Sequence, residues 1–200
     1  MRIEIETHRP AGKPSARRED LKFYFNPGLL TGNYQLPDVA QAVLNEQFRT
    51  LQADVTTFID RAATINTFFP DLLVGNYDQQ REARVAAERA IVEPGSLNDF
   101  YASLQPSLGE EQLPPVKAID HTWALYRWLQ VQFLFGVDLY VRYHGRVPRE
   151  PSPKVFKKVE HDVLDAQLLM LACLEGAFAT QEKKLQRWWR LLCPTGALFE

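Results

Sequence analysis

A three-four alternation running unbroken from Val116 to His144 constrains this chain more than any other feature in it. Positions 116, 119, 123, 126, 130, 133, 137, 140 and 144 step by three and four, and all but Gln130 and His144 are apolar or aromatic. Leu125, Trp128, Phe135 and Leu139 add a second stripe, so the helix predicted over Val116–His144 needs cover on much of its circumference. Such a helix belongs at the centre of a core. The run GRVPREPSP at 145–153 ends it with a glycine and three prolines.

The rest of the chain supplies elements to wrap it. Apolar residues recur with helical spacing from Asp38 to Ala63, a shorter helix is predicted over Gln79–Val92, and Asn98–Leu104 forms a further turn or two. Residues 105–115 read as a loop. Leu21–Phe25 reads as a strand stopped by Asn26-Pro27-Gly28, and residues 1–20 as a flexible arm. The last fifty residues change period in order: helix Pro153–Leu174, strand Gly176–Thr180, helix Glu182–Leu192, strand Ala197–Phe199. This is the grammar of a layered α/β domain. The expected fold is therefore a single helix-rich α/β domain over 21–200, with a small parallel sheet and a long central helix.

Composition sets the limits on function. With 46% hydrophobic and 24% charged residues the chain is not globally disordered, and its net charge of -2 gives no general basic field for nucleic acid or anionic membrane. Any such binding must use a local patch. Cys173 lies in an apolar helical run and Cys193 just before Pro194, which argues against a disulfide framework and for a reduced compartment. MRIEIETHRP lacks a signal-peptide core, and Arg127, Asp138 and Arg142 interrupt the longest apolar stretches, so a soluble, cytoplasmic protein without a membrane span is expected. P-loop, dinucleotide, nucleophile-elbow and zinc-spaced motifs are absent from the sequence.

Chemistry concentrates near the C-terminus. Asp162 and Asp165 sit at an apolar run of the helix, and some fifteen residues later a strand ends in Thr180-Gln181-Glu182 at the start of the next helix. Ligands gather at the carboxyl ends of parallel strands, where Glu182 would lie and which Asp165 could reach. Each acid also has a plainer reading. Glu182 suits a helix N-terminus capped by Thr180, Asp162 and Asp165 can face solvent, Asp162 more so, and Asn26 is an ordinary turn residue.

The helix-borne Asp165, the strand ending at Thr180 and the acid Glu182 resemble the C-terminal half of PIN-like nucleases. Phe23-Tyr24-Phe25-Asn26 is similar to that family's first strand, with Asn26 where the family usually has Asp. The resemblance implies hydrolysis of an RNA or DNA phosphodiester, RNA being favoured, by water activated on Mg²⁺ or Mn²⁺. It makes Asp165, Glu182 and Asp162 metal ligands, with Asn26 as a neutral member of the catalytic set. Asp120, Glu88 and Asp138 are candidates for the acid from the middle segment. The alternative is a catalytically degenerate PIN-like module that binds RNA or a protein partner, a second copy included. Asn26 favours the module; the pair Asp165 and Glu182 favours an endoribonuclease.

Between Arg142 and Lys158 six bases, Arg142, Arg146, Arg149, Lys154, Lys157 and Lys158, face the single acid Glu150. Such a strip, with Thr180 beside it, would position a phosphate backbone near the carboxylates; a solvated loop and helix start is the plain alternative. On the last helix Trp189 either stacks on a base or joins the core.

Overall fold

The computed structural model describes residues 38–104 and 120–200. The arm at 1–20, the strand at 21–25, Asn26 and the loop at 105–115 lie outside the described residues, and so does any pairing of 21–25 with 176–180. The helices are α1 (Asp38–Ala63), α2 (Tyr77–Val92), α3 (Asn98–Leu104), α4 (Ala124–Arg142), α5 (Pro153–Glu175) and α6 (Lys183–Leu192). The strands are β1 (Ala177–Ala179) and β2 (Ala197–Phe199).

α4 is the axis of the molecule. Fifteen of its residues, from Ala124 to Leu139, are buried, and α1, α2 and α5 pack around it. α1 offers Val55, Phe58, Ile59 and Ala62 at three-four spacing, and Phe58 meets Phe135 edge to face at 5.8 Å. α2 begins two residues earlier than the periodicity predicts. Asn76 and Gln79 form a reciprocal capping box there, a signature readable as Asn-x-x-Gln.

The central helix is shorter than its apolar pattern. Residues 120–123 are not helical, and α4 starts at Ala124 rather than 116. The Asp120 carboxylate accepts hydrogen bonds from the Thr122 amide at 2.8 Å and hydroxyl at 2.6 Å, a local turn that competes with the helix. Trp123 still enters the core from this turn, which is why the alternation continues past the helix end. No helix among the described residues is long and apolar enough to cross a membrane.

β1 and β2 pair in parallel with Ala177 opposite Ala197, giving a two-stranded sheet joined through α6. The protein is thus helix-rich with a small parallel sheet. β1 is not the buried strand its apolar residues predict: Ala177 and Ala179 are exposed and Phe178 half-buried. Gly176 belongs to the end of α5, where its φ of +80° forms the left-handed cap.

Candidate functional site

The acids named from the sequence separate into a neutralised group and an open pair. Asp162 lies on the α5 face that buries Val159, Val163, Ala166 and Leu169. It is only 6% exposed, contrary to the expectation that it faces solvent more than Asp165. Burial of a carboxylate demands partners, and it has them. Arg142 donates to Asp162 through Nη1 at 2.7 Å and Nη2 at 3.1 Å, and Lys184 Nζ lies 3.3 Å away.

The same cations hold Asp138 on α4, with Arg84 Nη2 at 2.7 Å and Lys184 Nζ at 3.6 Å. Burial alone would raise the Asp138 carboxyl, but Lys184, Arg142 and Arg84 outweigh it and keep it below the ordinary value. Glu88 on α2, 2% exposed, accepts from Arg84 at 3.2 Å and Arg187 at 2.6 Å. Three acids and four bases therefore tie α2, α4, α5 and α6 together. Arg142, counted from the sequence with the basic strip, is an internal partner instead. Glu88 and Asp138, considered as middle-segment ligands, are likewise held by cations; Asp120 is exposed and bonded to Thr122.

Asp165 is half-buried and Glu182 exposed. Desolvation and then the charge of Glu182 push the Asp165 carboxyl above its ordinary value, Asp162 adds to this, and Lys184 and His161 oppose it. Asp165 therefore senses the charge of Glu182 at the start of α6. Its capping differs: Glu182 occupies the N-cap position, and its amide donates to Thr180 Oγ1 at 3.1 Å. Gln186 Nε2 donates to the Thr180 carbonyl at 3.0 Å, fixing this corner to α6.

These residues do not fit the divalent-cation site that the PIN-like resemblance implies. The Asp162 oxygens already face Arg142 and Lys184, leaving two acids where such an ion takes several oxygen ligands. Among the described residues no three His, Cys, Asp or Glu side chains gather to hold a metal. Asn26 lies outside the described residues.

The remaining basic strip is open. Arg146, Arg149, Lys154, Lys157 and Lys158 are exposed, and none forms an ion pair among the described residues. Lys154, Lys157 and Lys158 share one face of α5 at three-four spacing. Trp189 is no stacking platform: it is 1% exposed and packs 5.5 Å from the Phe178 ring.

At the other end of α4 a cavity of about 540 Å³ was not visible in the sequence. His121, Arg127 and Gln130 line it from the α4 side, and Cys173 and Cys193 from the ends of α5 and α6. The Cys193 Sγ is 3.9 Å from the Cys173 carbonyl oxygen. Parallel pairing of the strands after α5 and α6 draws the two helix ends together, a relation that neither local sequence contains.

No family model, curated protein or solved structure matches the chain.

Proposed function

We propose that this protein is a PIN-like module that has lost its catalytic acid set and binds the phosphate backbone of RNA through Arg146, Arg149, Lys154, Lys157 and Lys158. One observation carries the reading: these five cations are exposed without acidic partners among the described residues, while Asp162 beside them is committed to Arg142 and Lys184. Phosphates would supply the missing countercharge, and binding would release cations condensed on the RNA.

Fluorescence anisotropy with a single-stranded RNA tests it. If all five contact phosphates, affinity falls about a hundredfold between 50 and 200 mM salt. Reversing Lys154, Lys157 and Lys158 to Glu removes most of the affinity and flattens the salt slope. Affinity that ignores both changes overturns the reading.

A second reading, phosphodiester hydrolysis with Mg²⁺ or Mn²⁺, would need further oxygen ligands from outside the described residues beside Asp165 and Glu182. RNA cleavage that requires Mn²⁺ and disappears in Asp165→Asn would favour it over the non-catalytic module.

A further inference from the structure

Arg127 is 8% exposed and lies in the first turn of α4. Its guanidinium donates to the His121 carbonyl at 2.9 Å and to Gln130 Oε1 at 3.0 Å. Gln130 in turn donates through Nε2 to the Ile91 carbonyl at 3.3 Å, so the arginine is oriented by neutral acceptors. Among the described residues no carboxylate forms an ion pair with it. Asp120, whose charge Arg127 senses, is exposed and bonded to Thr122. A buried cation placed this way favours an anion forming nearby. The groups beside it that can become one are the two cysteines.

We infer that Cys193 and Cys173 form a reactive dithiol in the cavity wall, in which Cys193 attacks a hydroperoxide and Cys173 then closes an intrachain disulfide. Three features support the assignment of roles. The Cys193 Sγ lies 3.9 Å from the Cys173 carbonyl oxygen, both cysteines line the cavity that Arg127 also lines, and Cys193 directly follows α6 at its wall. The hydrogen bond between the thiols, helped by Arg127, pulls Cys193 below the ordinary thiol value, and the same bond together with burial pushes Cys173 up. Of the two, Cys193 is therefore the more readily ionised and takes the attacking role.

The chemistry balances in two steps. The Cys193 thiolate attacks the peroxide; an S–O bond forms, the O–O bond breaks, and the alkoxide leaves with a proton as an alcohol, or as water when the oxidant is hydrogen peroxide. Cys193 is then a sulfenic acid. Cys173 loses its proton and attacks that sulfur; the S–S bond forms, the S–O bond breaks, and hydroxide takes up the proton to leave as water. Two thiols and one hydroperoxide give one disulfide, one alcohol and one water. The protein has lost two electrons to the peroxide.

The test uses the full chain exposed to a tenfold excess of hydrogen peroxide, quenched in acid, alkylated in denaturant and weighed intact. Wild type should lose both alkylatable thiols together, weigh about 2 Da less as one disulfide forms, remain monomeric without reductant and recover both thiols with dithiothreitol. Cys173→Ser should stop at a sulfenic acid that dimedone traps on Cys193. Cys193→Ser should leave Cys173 reduced under the same exposure. Two intact thiols in the wild type, disulfides only between chains, or dimedone labelling on Cys173 in preference to Cys193 would each overturn the proposal, and the wild-type readings do not depend on how either variant folds.

Discussion

The two ends of α4 treat charge in opposite ways. At the C-terminal end Asp138 and Arg142 sit one turn apart and join a network that matches nearly every buried acid with a cation from another helix. At the N-terminal end Arg127 is buried as well, yet carbonyl groups hold it and no described carboxylate answers its charge. A satisfied network is a joint between helices, whereas a cation held by neutral groups is poised to stabilise a charge that appears only during chemistry. Sequence reasoning seeks chemistry at clustered acids and is drawn here to the joint.

Breaking the joint should have the largest effect. Asp138→Asn leaves Arg84, Arg142 and Lys184 facing one another and should cost about 3 kcal/mol, as when one partner of a buried pair is removed. That lowers the melting temperature by roughly 6–12 °C for a chain of this size. Because the Asp138 carboxyl is held below its ordinary value of 3.8 in the fold, its stabilisation is present above that value. It is lost as pH falls through the lower folded value. Melting curves from neutral to acid pH should therefore show wild type and variant converging at the acid end.

Arg127→Met should sharpen the contrast. Removing a buried cation that has no anionic partner among the described residues leaves stability within about 1 kcal/mol of wild type. It should slow alkylation of Cys193 by iodoacetamide at pH 7 roughly three- to tenfold as the thiolate loses a favourable charge. A melting loss as large as that of Asp138→Asn would make the two ends alike.

The smallest effect belongs to Asp165. Its carboxyl is raised in the fold, so ionisation is a penalty present above the folded value and relieved as pH falls through it. Asp165→Asn should stabilise the protein at pH 7 by no more than about 0.5 kcal/mol, since the group is partly exposed and screened. The gain should vanish in acid. A loss of stability at pH 7 would mean that Asp165 is a structural acceptor.

Helix faces were legible because each is written within a few turns of chain. The apolar spacing in α1 and the order helix, strand, helix, strand after Pro153 match the structure nearly residue for residue. The start of α4 was hidden because Trp123 satisfies the helical pattern from a turn that Asp120 and Thr122 build. Asp162 was misplaced for a different reason: its burial depends on Arg142 and Lys184, twenty and twenty-two residues away, and periodicity carries no information about such partners. Only the i, i+4 spacings of Asp138 with Arg142 and of Arg84 with Glu88 announced part of that network. The order that puts Asp165 on one helix and Glu182 at the start of the next was readable. The cysteine pair was not, because it follows from strand register.

That register also bears on the order in which the chain assembles. Pairing Ala177 with Ala197 closes only the short span that contains α6, whereas seating Phe58 of α1 on Phe135 of α4 joins distant parts of the chain. Loop-closure entropy grows with the length enclosed, and contacts of short separation form first. The β1–α6–β2 unit can therefore condense early, burying Trp189 against Phe178 as a local nucleus. By the same loop-closure cost, docking of α1 onto α4 and α5 is expected to follow, completing the core around the central helix.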